Sequence, residues 1–247
     1  MLSQLTIPAL LVTGTDTGVG KTLVAGAIAD WFRTRGHRVA CCKPVATGCV
    51  HRREGLVSED AEFLAVCGDV RFPLDLICPQ RYAQPLAPAI AAQRSGRSLD
   101  WEAIARALAI MSRDSDVMIV EGVGGAMVPM DDKHTFIDAI GWLKAPAVVV
   151  ARPGLGTINH TLLTVEALRR RDIPVAGVVI NRYPPDQTPI VEETNPRAIE
   201  KWGKVPILCI VPEDRVHTIG PALAPPLPSG VVAAIGQVDW AAKAGLT

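Results

Sequence analysis

The residues best suited to do chemistry lie near the start of the chain, in Gly14–Thr22, which reads GTDTGVGKT. This run follows a short apolar segment and precedes a stretch with helical spacing, an order that is typical of a P-loop. Gly18 and Gly20 let the backbone approach phosphate oxygens, and the first N–H groups of the helix bind the anion. Lys21 adds a full positive charge, and the Thr22 hydroxyl can ligate Mg²⁺. We therefore predict a site for a nucleoside triphosphate and magnesium.

The spacing of this loop is a variant of the common one. Five residues separate Gly14 from Gly20 where the usual pattern has four, and Thr15 stands at the position of the first glycine. The alternative interpretation is an ordinary glycine-rich turn. The apolar run before the loop and the helical pattern after it favour a P-loop.

Two carboxylates are candidates to hold the metal ion. Glu121 ends the apolar run Val117–Val120 and is followed by glycines. It should lie at the carboxyl edge of a sheet, where ligands bind in such folds, although a solvated strand end is the alternative. Asp60 is the weaker candidate from the residues alone, because Ser58-Glu59-Asp60 also fits the first turn of a helix.

Two further polar residues also end apolar runs. Lys43 follows Arg38–Cys42 and would bring a second ammonium to the same edge, with a solvated lysine as the alternative. Asn181 follows Val175–Ile180. Its amide could read the edge of a base through one donor and one acceptor, or it could cap the turn.

Six short apolar runs are expected to form the strands of a buried parallel sheet, because none alternates cleanly between polar and apolar residues. They are Ala9–Val12, Arg38–Cys42, Val117–Val120, Ala147–Ala151, Val175–Ile180 and Ile207–Val211. Segments with helical spacing lie between them: Lys21–Arg35, Ser58–Val66, Leu99–Ser112, Thr135–Leu143, Thr157–Arg171 and Pro196–Trp202. This alternation predicts a doubly wound, mostly parallel α/β fold with flanking helices, as a single P-loop domain over 1–247.

Local signals refine two of these elements. Thr157 is expected to act as the N-cap of its helix. Four prolines within 221–228 predict an extended connector, followed by a short C-terminal helix near Val231–Ala244.

Composition excludes several function classes. The 247 residues contain 25 Lys and Arg against 25 Asp and Glu, and this zero balance argues against a nucleic-acid partner. No apolar run approaches the about 20 residues that span a bilayer, and no basic residue precedes Lys21, so neither a membrane segment nor a secretory signal is expected. The six cysteines form no C-x-x-C pair, which speaks against a zinc framework and makes a reducing cytoplasm the expected location.

Five motifs, taken together and in order, resemble those of the dethiobiotin synthetase family, the ATP-dependent carboxylases of biotin synthesis. They are Gly14–Thr22, Lys43–Gly48, Glu121–Gly125, Gly154–His160 and the turn at Asn181. The resemblance runs from about residue 8 to 215 and fades beyond Arg215. The five-residue spacing of the phosphate loop is itself the form found in this family.

The resemblance implies a homodimer with active sites at the subunit interface and a reaction that needs ATP and Mg²⁺. In that reaction one amine of 7,8-diaminononanoate (7,8-diaminopelargonate) takes up CO₂ as a carbamate. The γ-phosphate of ATP converts the carbamate into a carbamic-phosphoric mixed anhydride, and the second amine then closes the cyclic urea of dethiobiotin.

The resemblance also implies roles for individual residues. Thr22, Asp60 and Glu121 would be the Mg²⁺ ligands. Thr17, Lys21 and Lys43 would surround the transferred phosphoryl group, with Lys43 and Thr47 also near the carbamate. The implied nucleotide contacts are Gly18, Val19, Gly20, Lys21, Thr22, Leu23, Asp60, Glu121, Gly122, Val123, Gly124, Asn181, Arg182, Pro212, Glu213 and Asp214. The implied contacts to the substrate carboxylate of the neighbouring subunit are Gly156, Thr157 and Asn159.

Three alternatives remain at this point. Partitioning or septum-positioning ATPases, which are switches, carry a signature lysine in K-G-G-x-G-K-T, but Asp16 stands at that position here. An ATP-dependent cobyrinate amidation enzyme carries a glutaminase domain, for which 247 residues leave no room. A nucleotide-binding subunit without its own chemistry is the third. ATP is the expected nucleotide, with another triphosphate as the alternative.

Overall fold

A computed structural model describes residues 2–53, 55–184, 190–214 and 226–246. The strands in this part of the chain are β1 (Ala9–Gly14), β2 (Val39–Cys42), β3 (Val45–Thr47), β4 (Val50–Arg52), β5 (Gly55–Val57), β6 (Gln80–Tyr82), β7 (Val117–Glu121), β8 (Ala147–Ala151), β9 (Val175–Tyr183) and β10 (Ile207–Pro212). The helices are α1 (Lys21–Arg33), α2 (Glu59–Cys67), α3 (Leu74–Ile77), α4 (Pro88–Arg94), α5 (Trp101–Arg113), α6 (Phe136–Leu143), α7 (Thr157–Arg169), α8 (Ile190–Gly203), α9 (Ser229–Gly236) and α10 (Trp240–Ala244).

Six of these strands form one parallel sheet in the order β10-β9-β8-β1-β7-β2. They correspond to the six predicted apolar runs. Alternate residues of β1 enter two different apolar clusters, Leu10 and Val12 on one face and Ala9 and Leu11 on the other. Both faces are therefore covered, which is why these strands lack polar alternation. The predicted α/β fold with a parallel sheet and flanking helices is confirmed.

The structure corrects three helix predictions. α7 begins at Thr157 but is not capped by it, because Gly156 occupies the N-cap position with φ 93°. α8 begins before Pro196 and contains it. The predicted last helix is divided into α9 and α10, because the Asp239 side chain accepts a hydrogen bond from the Ala242 N–H and starts a new helix. The small strands β3 to β6 and the helices α3 and α4 have no counterpart in the predicted elements.

The end of the chain is described in part. Residues 221–225 of the predicted proline-rich connector lie outside the described residues, and 226–228 lead into α9. Across the described ranges, no helix combines the length and the apolar character needed to cross a membrane. All six cysteines are buried and none forms a disulfide.

Gly26 allows α1 and α2 to pack closely. A Cβ atom at Gly26 would overlap the ring of Phe63 on α2, with Cys67 also nearby. The helix that carries Lys21 and Thr22 is thereby held against the helix that carries Asp60. The absence of a side chain at this position sets the distance between two parts of the candidate site.

We expect Gly26→Ala to lower the free energy of unfolding by about 2 kcal/mol, because the added methyl group forces two packed helices apart. Denaturant unfolding would measure the loss. Gly141→Ala in α6 is the matched control, since its Cβ would meet its nearest neighbour, Ile173, at 4.0 Å. An equal loss in both variants would contradict the packing argument.

Asp131 anchors the segment that connects β7 to α6. Its carboxylate accepts hydrogen bonds from Trp101 Nε1 at 2.6 Å, from the Lys133 N–H at 2.8 Å and from the His134 N–H at 2.7 Å. Burial alone would raise the pKa of Asp131, but these donors and the His134 ring lower it to about 2. The segment that follows Glu121 is thus fixed at its far end.

This low pKa predicts a change of stability with pH. The pKa of Asp131 is about 2 in the folded chain and about 4 in an unfolded one. Its contribution of about 2 kcal/mol is therefore complete above about pH 4 and disappears as the pH falls through about 2. Urea unfolding of the native chain and of Asp131→Asn should show a stability difference that is smaller at about pH 3 than at about pH 6. A difference that does not change with pH would argue against this assignment.

Candidate active site

The phosphate loop joins the end of β1 to the start of α1. Gly18 and Gly20 adopt left-handed backbone angles, with φ of 75° and 91°. A Cβ at Gly20 would also overlap the Asn181 side chain of β9. Because both the angle and the space at Gly20 exclude a side chain, glycine is required there. The loop leads directly into the first turn of α1, as the P-loop prediction requires.

A cavity of about 250 Å³ lies beside this loop at the carboxyl edge of the sheet. It forms there because β1, β7 and β2 are neighbours and their ends come together. The cavity is lined by Thr17, Gly18, Gly20, Lys21, Thr22, Lys43, Thr47, Asp60, Glu121, Val123, Gly124 and Arg182. Each of these residues is among the site residues predicted above, so distant parts of the sequence meet in one place.

Lys43 lies between two carboxylates in this cavity. Its Nζ is 2.5 Å from Glu121 Oε1 and 2.8 Å from Asp60 Oδ2. The Lys43 and Glu121 side chains are 5% and 1% exposed, whereas that of Asp60 is 39% exposed. Burial alone would lower the pKa of Lys43, but the carboxylates of Glu121 and Asp60 raise it above its ordinary value. Lys43 is therefore not the solvated lysine of the alternative interpretation.

Asp60 belongs to the first turn of α2 and also faces the cavity. Ser58 caps this helix, and its hydroxyl accepts from the Ala61 N–H at 3.3 Å. Burial would raise the pKa of Asp60, but the neighbouring Lys43 holds it below its usual value. Asp60 thus lies in the first turn of a helix, as the alternative interpretation expects, and also lines the cavity.

Lys21 points back over the loop. Its Nζ donates to the backbone carbonyl of Asp16 at 2.9 Å. Burial lowers the pKa of Lys21 to about 8, against the opposing effect of the Glu121 carboxylate. The sequence analysis did not predict Asp16 as a partner of Lys21. The contact uses the backbone carbonyl of Asp16, which does not depend on the type of residue at that position.

The oxygen atoms of Glu121 and its neighbours are suitable ligands for a magnesium ion. Thr22 Oγ1 donates to Glu121 Oε1 at 2.8 Å, and Glu121 Oε2 is buried without a hydrogen-bond partner. Burial raises the pKa of Glu121, so this carboxylate would gain from a nearby cation. A hydroxyl and two carboxylates are the oxygen ligands that Mg²⁺ takes in proteins. Among the described residues, no three His, Cys, Asp or Glu side chains cluster as a metal site. The set here consists of two carboxylates and one hydroxyl.

Asn181 lies directly behind the phosphate loop. It is 1% exposed, and its Nδ2 donates to the Val19 carbonyl at 2.9 Å. Its Oδ1 is buried without a partner. The side chain is therefore more than a turn cap, since it connects β9 to the loop and keeps one acceptor unused.

Some predicted contacts do not line the cavity. They are Val19, Leu23, Gly122, Asn181, Gly156, Thr157, Asn159, Pro212, Glu213 and Asp214. Thr157 is fully buried, and its hydroxyl lies 3.5 Å from that of Thr161, so its side chain faces the interior. Asn159 is exposed. Glu213 connects the end of β10 to β9, with its N–H donating to the Tyr183 carbonyl at 2.7 Å.

The turn before α7 is held by a residue that the sequence did not single out. Asn195 of α8 is 4% exposed, and its Nδ2 donates to the Pro153 carbonyl at 2.6 Å. A second, longer contact of 3.5 Å reaches the Gly154 carbonyl. In the sequence, Asn195 is simply a polar residue before a proline. That pattern does not predict a function.

The fold and the site define a P-loop protein of the nucleotide-binding class. A family model described as an AAA domain matches residues 8–218. Among solved structures, the chain is similar to a ParA family ATPase from Chlorobium tepidum TLS, with a TM-score of 0.57, 17% identity, and coverage of 96% of this chain and 98% of that one. It is also similar to the septum site-determining protein MinD from Pyrococcus horikoshii OT3, with a TM-score of 0.55, 17% identity and 94% coverage of both chains. At such identities these two likenesses show the fold alone.

Curated relatives define the family more narrowly. A protein named ATP-dependent dethiobiotin synthetase BioD from Thermodesulfovibrio yellowstonii is 40% identical over 208 residues, which cover 81% of this chain and 87% of the relative. Proteins of the same name from Anaeromyxobacter dehalogenans and Haloferax mediterranei are 44% and 39% identical, covering 74% and 81% of this chain and 80% and 82% of the relatives. The chain therefore belongs to an enzyme family, the ATP-dependent dethiobiotin synthetases.

Proposed function

We propose that this protein catalyses the ATP- and Mg²⁺-dependent conversion of 7,8-diaminononanoate and CO₂ into dethiobiotin in biotin biosynthesis. The observation that carries the proposal is the cavity itself, because eleven of its twelve lining residues belong to motifs of the family or to the turn at Asn181, and the twelfth, Asp60, is one of the implied metal ligands. The proposal treats 1–247 as one domain. Six unpaired, buried cysteines are consistent with a reducing cytoplasm as its location.

The proposed chemistry has three steps. One amine of the substrate attacks CO₂ and loses a proton, giving a carbamate. A carbamate oxygen then takes the γ-phosphoryl group of ATP, which forms a carbamic-phosphoric mixed anhydride and releases ADP. Finally, the second amine attacks the carbamate carbon, loses its proton and expels phosphate, closing the cyclic urea.

The chain's own residues act mainly by charge and position. Lys21 and Lys43 are proposed to stabilise the transferred phosphoryl group, with Thr17 as a hydroxyl donor to it, because phosphoryl transfer depends on positioning and electrostatics. Thr47 is proposed to orient the carbamate beside Lys43. Thr22, Asp60 and Glu121 would hold Mg²⁺, which when bound supplies positive charge that offsets the triphosphate.

ATP is proposed as the nucleotide because the curated relatives are named ATP-dependent dethiobiotin synthetases. Asn181 is proposed to support the base site from behind the phosphate loop: one N–H of its Nδ2 donates to the Val19 carbonyl, and its Oδ1 is buried without a partner in the described part of the chain. Arg182 and 212–214 are proposed to border the same base site.

A homodimer is supported by exposed apolar residues, two of which line a cavity that reaches the phosphate loop. Met127, Leu155 and Leu163 are 53%, 83% and 61% exposed. Met127 and Leu163 line a second cavity of about 480 Å³ that includes Asp16 and His160. We propose that a second copy covers this surface, which would bring Gly156, Thr157 and Asn159 of one subunit towards the substrate of the other. In this arrangement Asn159 contributes its side chain, and the buried Thr157 contributes only backbone.

Mixed dimers test this arrangement. We expect Lys21→Ala and Asn159→Ala homodimers to be almost inactive, and a mixture of both chains to regain about a quarter of the native activity. Half of the dimers would be mixed, and each of those would contain one intact site. A mixture of Lys21→Ala with Thr22→Ala is the control, because both changes affect the same loop. No recovery in the first mixture would argue that each subunit completes its own site.

The reaction itself is tested by incubating the protein with diaminononanoate, bicarbonate, Mg²⁺ and ATP, and detecting dethiobiotin by mass spectrometry. We expect dethiobiotin, ADP and phosphate in equal amounts. Steady ATP hydrolysis without dethiobiotin, whether or not diaminononanoate is present, would contradict the proposal and favour a nucleotide-dependent switch. Omitting diaminononanoate is the control for background hydrolysis.

A further inference from the structure

The proposed function assigns Asp60 and Glu121 to a metal ion. In this structure the Lys43 ammonium lies between these two carboxylates. Its Nζ contacts Glu121 Oε1 at 2.5 Å and Asp60 Oδ2 at 2.8 Å. Glu121 Oε1 also accepts the Thr22 hydroxyl at 2.8 Å. One oxygen of each prospective metal ligand is therefore engaged with Lys43 or with another ligand, and a metal ion has to compete for these three atoms. Glu121 Oε2, by contrast, is buried and has no hydrogen-bond partner among the described residues.

We propose that Lys43 is an internal cation that makes metal binding depend on the nucleotide. In the nucleotide-free protein it pairs with both Asp60 and Glu121 and so disfavours a lone Mg²⁺. When a triphosphate enters, Lys43 leaves the carboxylates for the phosphate, and the metal takes its place. This inference rests on the proposed function, from which it takes the metal ligands.

The charges in the cavity explain why metal binding should depend on the nucleotide. Three of the lining side chains are cations, Lys21, Lys43 and Arg182, and two are anions, Asp60 and Glu121. A lone divalent ion would add two positive charges and would leave Lys43, which is buried, without its partners. A buried ammonium without a partner is costly. A triphosphate supplies the anion that Lys43 needs, so the nucleotide and the metal should each increase the affinity of the other.

Lys21 provides a matched control within the same cavity. It carries the same charge as Lys43, but its Nζ donates to the Asp16 carbonyl and not to Asp60 or Glu121. Replacing Lys21 removes one positive charge without freeing the two carboxylates. Replacing Lys43 removes the same charge and frees them.

Binding of Mn²⁺, measured by electron paramagnetic resonance without nucleotide, tests the inference on the full chain. We expect Lys43→Met to bind Mn²⁺ at least about tenfold more tightly than the native protein, and Lys21→Met to differ from it by less than about threefold. A non-hydrolysable ATP analogue should increase Mn²⁺ affinity strongly in the native protein and much less in Lys43→Met. Equal tightening in both lysine variants, or none in Lys43→Met, would overturn the inference.

Thermal unfolding, measured as Tm, tests whether the variants fold and whether they bind the metal. The Tm of Lys43→Met should rise on addition of Mg²⁺ alone, whereas that of the native protein should not. Lys43→Gln, which keeps a donor without the charge, should behave in the same way as Lys43→Met. If no variant binds Mn²⁺ even with the analogue, the proposed metal ligands and this inference both fail. If the Mn²⁺ pattern appears but no dethiobiotin forms, the proposed reaction alone fails.

Discussion

Lys43→Ala is expected to lower kcat for dethiobiotin formation by about 10²–10³-fold, the usual cost of losing a contact that stabilises charge in the transition state. Two unit charges about 4 Å apart interact by about 4 kcal/mol at an effective dielectric constant near 20, so one ammonium beside the transferred phosphoryl group has an effect of this size. Initial rates at saturating ATP and diaminononanoate would measure it.

The controls for Lys43→Ala separate charge from folding. Lys43→Arg keeps the charge but has a wider, planar head, and we expect it to retain more activity than the alanine variant. Lys201 on α8 does not line the cavity, and its ammonium lies over the Trp202 ring. Lys201→Ala should therefore leave kcat unchanged. A near-native kcat in Lys43→Ala would remove this residue from the mechanism.

Glu121→Ala is expected to lower the free energy of unfolding by about 3 kcal/mol, because it takes the nearest carboxylate away from a buried ammonium. The Lys43 side chain is 5% exposed and, within the described part of the chain, retains only Asp60 as a charged partner at contact distance. Dethiobiotin formation should also be lost, since a proposed metal ligand is removed. Urea unfolding at neutral pH, followed by circular dichroism, would measure the stability.

Glu62→Ala supplies the comparison for Glu121→Ala. Glu62 pairs with Arg52 at the surface, where the two side chains are 22% and 34% exposed, and such pairs contribute about 1 kcal/mol or less. Glu121→Gln should keep an acceptor for the Thr22 hydroxyl and lose less stability than the alanine variant, while still losing activity. Similar losses for Glu62→Ala and Glu121→Ala would contradict the importance of burial.

The parts of the fold and site that follow local patterns were predictable. The strands read as continuous apolar runs because both faces of the sheet are covered, and the order of strand, loop and helix located the phosphate loop. Since the carboxyl ends of parallel strands share one edge of a sheet, Glu121 and Lys43 could be expected near that loop. Asp60 depended on the family resemblance, because its position in a helix turn has no functional signature.

The remaining features depend on contacts between distant elements. Asn195 stabilises a turn more than forty positions earlier, and Gly26 matters only because Phe63 packs against it. The N-cap of α7 was predicted at Thr157, but the φ of 93° at Gly156 shows that a left-handed glycine starts this helix. These are properties of packing and backbone angles, and hydrophobic periodicity does not encode them.

The burial of every native cysteine makes this chain suitable for site-specific labelling. Burial raises the pKa of these thiols, to about 12 for Cys41 and Cys209, so little reactive thiolate forms near neutral pH. A single cysteine introduced at Leu163, which is 61% exposed, would therefore be the preferred target of a spin label or fluorophore without removal of the six native residues. Distances between two such labels would report directly on how two copies of the chain approach each other.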